Sequence, residues 1–363
     1  MNQNAIVCNT PLQILNAINI VANNVENTKN YTDLYVVETF KNAESIISEL
    51  KESHLFQHIF TCKMNASKKT GSKIKTFAKL LNGKKLWEDY VFEGEDVLEK
   101  VYDTIFVGDN NTLGIALKSV SPKAKTIIYD DGLDSYIGNC ITERIGKAYQ
   151  IIGKLFKTGV FSYDIQKLLV NNKDFCASTV SENIEQLPKL TKANPAYELA
   201  LKIFSFLKEG PVKDYTFILL GQPLEEMNSY NGVPITSVLE GMKENGINVL
   251  LREHPRQKPI ECSDVVKDEV NNLWELECME SVTDNHILAG FYSTAQMAPK
   301  FIADKEPYVI FLYKLFLNDL TSTVVINYEK VIRLLKENYR NSGKIFVPET
   351  IEEYYAIIQK LYE

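Results

Sequence analysis

Two adjacent carboxylates, Asp130 and Asp131, stand directly after the apolar run Ala124–Tyr129 and are followed by Gly132. A neighbouring like charge and partial removal from water raise the pKa of a carboxyl group, which makes it a usable general base. The same residues are also typical of a turn, with aspartate in Asx-type hydrogen bonds and glycine at positive φ. On these residues alone both interpretations stay open.

A histidine, His254, follows the predicted strand Asn248–Arg252 and precedes Pro255. Proline biases the residue before it towards extended backbone, so the imidazole is expected at the end of the strand rather than in a helix. With Arg252 and Arg256 on either side, the site suits an anionic leaving group, to which histidine donates a proton or hydrogen bond. The alternative is a surface histidine between two solvated arginines.

A hydroxyl pair, Ser293 and Thr294, follows the predicted strand His286–Gly290 and opens a predicted helix. Free backbone N–H groups, the helix dipole and the hydroxyls together bind phosphate, although an ordinary Ser/Thr N-cap has the same sequence. Glu275, in the predicted short strand Leu273–Leu276, is placed either to accept hydrogen bonds from ribose hydroxyls or to face solvent. The motifs GxGxxG and GxxxxGK[ST] are absent, so dinucleotide and P-loop sites are not expected.

Three more predicted strand ends carry polar residues or glycine. The first, Ala5–Asn9, runs into a proline-initiated helix start that is expected to face the sugar end of a ligand site. The other two predicted strands are Thr104–Val107 and Tyr215–Leu220. These loops add Asn9, Thr10, Pro11, Gln13, Asp109 and Asn110 on the acceptor side, and Gly221 and Gln222 on the donor side.

Predicted strands alternate with predicted helices along the chain, which indicates an α/β fold with parallel sheets. The other predicted elements are strands Leu34–Val37 and Tyr308–Phe311 and helices Ala43–Leu50, Val233–Asn245 and Ile351–Tyr362. The pattern weakens once, so we predict two Rossmann-like domains facing a central cleft. Their bounds are an acceptor-side domain 1–185, a linker 186–212, a donor-binding domain 213–345 and a terminal helix 346–363. Ligands of such sheets bind outside the carboxyl ends of the strands, where every motif above falls.

In this order, CNTPLQ (residues 8–13), DDG (130–132), HP (254–255) and Ser-Thr (293–294) resemble the motifs of bacterial sialyltransferases, most closely glycosyltransferase family 52. The resemblance implies a GT-B fold, a CMP-sialic acid donor, inversion at the anomeric carbon, and no metal or other cofactor. The implied reaction transfers sialic acid to a glycan hydroxyl, with terminal galactose expected, of a bacterial surface polysaccharide or lipooligosaccharide.

The resemblance also implies roles for individual residues. Asp131 would be the general base and His254 would hydrogen-bond to or protonate the departing phosphate. Ser293 and Thr294 would hold that phosphate; related enzymes often have Ser-Ser there, so Thr294 is a departure. The remaining assignments are Glu275 to the ribose; Gly221, Gln222, Arg252 and Pro255 to the donor; Asp130 and Gly132 to the acceptor side; and Glu225 and Glu226 as alternative bases.

Two competing functions stay open. The same fold could serve another nucleotide sugar, either CMP-Kdo or a UDP-hexose. The chain could also be a non-catalytic protein that binds a nucleotide or a glycan.

Composition excludes several other classes. The chain has 363 residues, a net charge of -7, 45% hydrophobic and 24% charged residues, which describes a globular protein without generic affinity for nucleic acid. Its six cysteines are dispersed and form no Cys/His cluster, so neither zinc nor disulfides are expected. The sequence shows no signal peptide and no apolar stretch long enough to span a membrane, which predicts a cytoplasmic protein.

A basic stretch runs from Lys63 to Lys85 with eight lysines and no acid. A solvated face is the simpler interpretation; the alternative is peripheral contact with anionic lipid at the inner membrane face, or with an anionic glycan. A homodimer is implied by the family resemblance only.

Overall fold

The computed structural model describes residues 3–65, 83–93, 100–108, 112–137, 165–176, 183–208, 210–226, 230–254, 257–262 and 265–362. It divides into two compact units, Met1–Phe204 (unit 1) and Ser205–Glu363 (unit 2). The division falls inside residues 186–212, the segment predicted as the linker. That segment also contains the helix Pro195–Ile203, which belongs to unit 1.

Unit 1 is built on a sheet with the strand order β4-β3-β2-β1-β5-β6-β7-β8. Every neighbouring pair is parallel except β3 and β4, which are antiparallel. The strands are β1 Asn4–Cys8, β2 Thr32–Val37, β3 His58–Met64, β4 Tyr90–Phe92, β5 Thr104–Val107, β6 Lys125–Tyr129, β7 Ile165–Val170 and β8 Ile184–Gln186. Every residue of β1, β2 and β5 is buried, as expected for parallel strands covered on both faces.

The described helices of unit 1 begin after strand ends. They are α1 Pro11–Ala22, α2 Ala43–Glu52, α3 Thr112–Val120, α4 Leu133–Ile137 and α5 Pro195–Ile203. Thr10 caps α1, because its Oγ1 accepts a hydrogen bond from the Gln13 N–H at 3.2 Å, and Pro11 occupies the first helical position. The order of the strands reverses at β1, whose neighbours are β2 and β5, so a crevice is expected at its carboxyl end.

Unit 2 contains a second sheet with the order β11-β10-β9-β12-β13-β14, in which every pair is parallel. The strands are β9 Phe217–Leu220, β10 Val249–Arg252, β11 Val266–Lys267, β12 Ile287–Gly290, β13 Tyr308–Phe311 and β14 Ile345–Phe346. The described helices are α6 Thr236–Glu244, α7 Trp274–Glu280, α8 Ala298–Ala303, α9 Tyr313–Phe316, α10 Thr323–Asn338 and α11 Ile351–Tyr362.

Both faces of this second sheet are covered. Phe217 and Leu219 of β9 pack into an apolar cluster with side chains of α6 and α11. Ile218 and Leu220, which point to the opposite face, pack with side chains of α7 and α8. The apolar run of β9 is therefore buried on both faces of the sheet.

The predicted α/β fold of two Rossmann-like halves is confirmed. The predicted strands Thr104–Val107 and Tyr308–Phe311 and the helix Ile351–Tyr362 match the structure residue for residue. The predicted strand Leu273–Leu276 is wrong, because Trp274–Glu280 is a helix. Within the described residues, no helix is both long and apolar enough to cross a membrane.

Candidate functional site

The carboxyl edge of unit 1 gathers three loops that the sequence separates widely. Strands β1, β5 and β6 are consecutive in the sheet, with Val7 beside Val107 and Val107 beside Ile128. The residues that follow these strands therefore meet at one edge. They are Asn9–Gln13 after β1, Gly108 after β5, and Asp130–Gly132 after β6.

Asp130 is the structural member of the acidic pair. Its carboxylate is 2% exposed and accepts hydrogen bonds from the Gly132 N–H at 2.9 Å, the Tyr136 hydroxyl, and both the backbone N–H and the Nδ2 of Asn171, at 3.1 and 2.9 Å. Burial raises the pKa of Asp130, and these hydrogen bonds oppose the rise. Gly132 has φ +95°, so the turn interpretation holds for this half of the motif.

Asp131 has a different environment. It is half-buried, and its backbone N–H donates to Ser135 Oγ at 3.0 Å. A Cβ added at Gly108 would lie 3.3 Å from Cγ of Asp131 and would overlap Nε2 of Gln13, so both side chains border the space beside Gly108. The negative charge of Asp131 also contributes to the raised pKa of the Cys8 thiol, whose main cause is burial and whose value is about 12.

The loop after β1 is held by its own amide groups. The Asn9 N–H donates to Oε1 of Gln13, and the Asn9 carbonyl accepts from the Thr39 hydroxyl at 2.7 Å. Gln13 is 1% exposed, and its Nε2 has no hydrogen-bond partner. Two predicted acceptor-side residues, Asp109 and Asn110, lie outside the described residues.

The carboxyl edge of unit 2 gathers a second set of loops. Strand β9 lies between β10 and β12, so residues 221–223, 253–254 and 291–294 follow three adjacent strands. The Gly221 N–H donates to the Arg252 carbonyl at 2.8 Å, and a Cβ at Gly221 would overlap Oε1 of Gln257. Sequence reasoning missed Gln257, since no local motif signals its contact with a distant glycine.

His254 is half-buried at the end of this loop. Its carbonyl accepts from the Gln257 N–H at 2.9 Å. Pro255, assigned to the donor, and Arg256 lie outside the described residues. The structure thus places the His254 main chain at the strand end, as the following proline predicts.

Ser293 caps a short 3-10 turn, Thr294–Gln296, rather than a long helix. Its Oγ accepts from the Ala295 N–H at 3.1 Å, and its carbonyl accepts from the Tyr328 hydroxyl at 3.3 Å. A hydroxyl that accepts in a cap retains a proton to donate. The cap and the phosphate contact predicted for Ser293 are therefore compatible, and Thr294 is half-buried beside it.

Gln222 connects two strand ends. Its Nε2 donates to the Tyr292 carbonyl at 2.6 Å, and its Oε1 accepts from the Tyr292 N–H at 2.7 Å. Tyr292 in turn contacts Tyr328, with ring centroids 4.3 Å apart. These contacts give Gln222, predicted as a donor ligand, a role in fixing the loop that carries Ser293.

Arg252 is engaged in the interior of unit 2. It is 9% exposed, its guanidinium pairs with Asp268 and donates to the Asn272 carbonyl, and it lies 5.3 Å from the Trp274 ring centroid. The donor contact predicted for Arg252 would compete with these partners. We therefore assign Arg252 to the support of β10 and the start of α7.

Glu275 lies in the first turn of α7, not in a strand. The alternation of Trp274, Leu276 and Cys278 imitates a strand, but acidic residues in a first turn stabilise a helix start. Trp274 Nε1 donates to the Ala295 carbonyl at 2.7 Å, which brings this helix start to the loop after β12. Glu275 is half-buried there, next to the residue that makes this contact.

The two alternative bases differ in how far the structure describes them. Glu225 is exposed and forms an ion pair with Lys258 at 2.5 Å, whereas the Glu226 side chain lies outside the described residues. Most of the lysine-rich stretch, residues 66–82, lies outside them as well. Among the described residues, no three His, Cys, Asp or Glu side chains gather where they could hold a metal ion.

Comparison with known proteins gives a clear result at the level of the fold. No protein-family model matches the sequence, and no curated protein does. The kitacinnamycin glycotransferase has a TM-score of 0.54 at 11% identity, and LpCGTa in complex with UDP has 0.52 at 11%; each match covers 99% of this chain and 90% of the other. The fold is that of the GT-B glycosyltransferases. A sialyltransferase from Photobacterium damsela has a TM-score of 0.49 at 12% identity and covers 95% of this chain and 81% of its own.

Proposed function

We propose that this protein transfers sialic acid from CMP-sialic acid to a glycan hydroxyl, with inversion at the anomeric carbon and without a metal. One observation carries the proposal: strands β10 and β12, which precede His254 and Ser293, flank the same strand, β9. An imidazole and a hydroxyl-bearing turn at one sheet edge suit a departing phosphate. The GT-B fold is consistent with this use.

In the proposed reaction, the bond from the anomeric carbon to the CMP phosphate breaks through an oxocarbenium-like transition state. Negative charge then grows on the phosphate oxygen. His254 donates a proton or hydrogen bond to it, and the hydroxyls of Ser293 and Thr294 donate hydrogen bonds, which stabilises the developing charge. CMP carries a single phosphate, so the leaving group does not need the divalent metal that commonly bridges a diphosphate.

Asp131 is the proposed general base. Its carboxylate removes the proton of the acceptor hydroxyl as that oxygen attacks the anomeric carbon. Attack on the face opposite the leaving phosphate inverts the configuration, by the same geometry that governs inverting glycosidases. The contrast with Asp130 supports this choice, because Asp130 is buried and already accepts four hydrogen bonds.

The competing donor is a UDP-sugar, since one solved structure with this fold was determined with UDP. Ligand binding raises the melting temperature by mass action, so thermal shifts with CMP, CDP, UMP and UDP distinguish the donors. We expect CMP to give the largest shift. A larger shift with UDP would replace CMP-sialic acid by a UDP-hexose in the proposal.

The decisive experiment incubates the protein with CMP-sialic acid and galactose-terminated acceptors, with and without EDTA, and detects product by mass. We expect a product heavier by one sialic acid, formed equally with EDTA. Asp131→Asn and His254→Ala serve as matched inactive variants. CMP binding without any product or donor hydrolysis would instead establish a non-catalytic nucleotide-binding protein.

A further inference from the structure

The side-chain amide of Gln13 is buried, and only its oxygen makes a hydrogen bond, while its nitrogen has no partner. Its Oε1 accepts the hydrogen bond of the Asn9 N–H, which fixes the amide orientation, since the reverse orientation would set one N–H against another. Nε2 has no partner, although the side chain is only 1% exposed. An unpaired buried donor costs about 1–3 kcal/mol, so its retention calls for an explanation.

The surroundings of Nε2 indicate which group it could serve. Gly108 lacks the Cβ that would overlap Nε2, so the absence of a side chain at this position leaves room for the amide. The carboxyl carbon of Asp131 borders the same space, 3.3 Å from the position that a Gly108 Cβ would take. A carboxylate and an N–H without an acceptor therefore border the same small space beside Gly108.

We propose that Gln13 is a positioning residue for Asp131: its Nε2 donates a hydrogen bond to one carboxylate oxygen while the other oxygen takes the proton of the acceptor hydroxyl. This inference rests on the proposed function. The balance is simple, because the hydroxyl proton moves to Asp131 and Gln13 keeps both of its hydrogens. A carboxylate held at one oxygen presents the other in a fixed direction, which is the usual contribution of a positioning group.

Other titratable groups near Asp131 do not obscure this effect. Two titratable groups that interact electrostatically with Asp131 are Cys8 of β1 and Tyr129 of β6. Burial raises the pKa of both, for Cys8 to about 12. Asp130, the neighbouring carboxyl, is directed to Tyr136 and Asn171. In a titration between about pH 4 and pH 8 the thiol and the phenol therefore stay protonated, and the groups that respond are carboxyl groups and histidines.

The test uses two substitutions of similar size. Gln13→Met removes the donor, and Gln13→Glu keeps an acceptor for the Asn9 N–H but sets a second carboxylate beside Asp131. A hydrogen bond to a carboxylate favours its charged form, so removal of the donor raises its pKa. We expect the acid limb of the kcat–pH profile to move to higher pH by about one unit in Gln13→Met and further in Gln13→Glu. In both variants kcat should fall about tenfold, while the KM for the acceptor should stay within about twofold of the wild type.

The control is Asn23→Ala, at the end of the same helix, where the amide bonds with Asn19 and Asn194 and lies away from Asp131. It should lower the melting temperature without moving the acid limb. An equal shift in this control would reduce Gln13 to a structural residue and overturn the inference.

A second readout does not need turnover: the carboxyl pKa of Asp131, followed by ¹³C NMR of labelled aspartate and assigned with Asp131→Asn. A rise in folded Gln13→Met supports the inference, and an unmoved value overturns it. A wild-type protein that transfers no sugar would instead overturn the proposed function, so the two failures are distinguishable.

Discussion

In each unit a buried glutamine packs against a glycine at the end of a strand, and the two pairs differ in which half of the amide is hydrogen-bonded. In unit 1, Gln13 packs against Gly108 and its Nε2 is unpaired next to Asp131. In unit 2, Gln296 packs against Gly290; its Nε2 donates to the Ile310 carbonyl at 2.9 Å, and its Oε1 is the unpaired atom. The same packing thus joins β12 to β13 in unit 2, whereas in unit 1 it leaves a donor beside a carboxylate. Similar backbone geometry therefore does not imply a similar role.

The largest effect should come from Arg252→Met, which tests the structural role of the unit 2 edge. The substitution leaves the buried carboxylate of Asp268 without its partner, which costs about 3–5 kcal/mol of the free energy of unfolding. Urea denaturation measures this loss. Normal stability with weakened nucleotide binding would restore Arg252 to the donor site.

Asp131→Asn should have the largest effect on the reaction. Loss of the base should lower kcat by more than about 10²-fold while the melting temperature stays near that of the wild type. The comparison variant, Glu225→Gln, changes an exposed carboxylate and should remain active. If Glu225→Gln is the inactive variant and Asp131→Asn is active, the base belongs to unit 2.

His254→Ala should lower turnover by about 10²-fold, because it removes a positioned acid from the leaving-group side. Donors with a better leaving group should recover part of the loss. Near-normal turnover with CMP-sialic acid would remove His254 from the mechanism.

The smallest effect, and the most direct test of the two glycine–glutamine pairs, comes from Gly108→Ala and Gly290→Ala. The first new Cβ meets the unbonded Nε2 of Gln13 and comes to 3.3 Å from Cγ of Asp131, so we expect about tenfold lower kcat with little change in stability. The second meets Cδ of Gln296 at 2.8 Å, an amide held by Ile310, so we expect a loss of about 1–3 kcal/mol in stability. Kinetics and thermal denaturation of both variants measure the contrast.

Apolar runs that end in polar loops made much of the fold predictable. The central strands β5 and β13 were located to the residue, because strands buried on both faces have continuous apolar sequences. Strand β3, with exposed residues at both ends, carries no such run and was missed. Helix α7 was mistaken for a strand, because Trp274, Leu276 and Cys278 alternate with polar residues.

The sequence predicted where the candidate site residues lie along the chain better than it predicted their hydrogen-bond and ion-pair partners. Sequence order placed Asp131, His254 and Ser293 after strands, and the structure has them there. It could not separate the buried Asp130 from the half-buried Asp131, because that difference depends on Tyr136 and Asn171 folding over one carboxylate. It could not foresee that Asp268 engages Arg252, since nothing in the local sequence links them.

The two hydrogen bonds between the Gln222 side chain and the Tyr292 backbone limit which groups after β12 can bind an anion. The backbone N–H and C=O of Tyr292 are both hydrogen-bonded to the neutral side-chain amide of Gln222. If a phosphate binds after β12, as proposed, the Tyr292 N–H is not available to it, and its recognition would rest on the hydroxyl side chains of Ser293 and Thr294. Discrimination between one and two phosphates would then depend on the reach of two short side chains rather than on a glycine-rich loop.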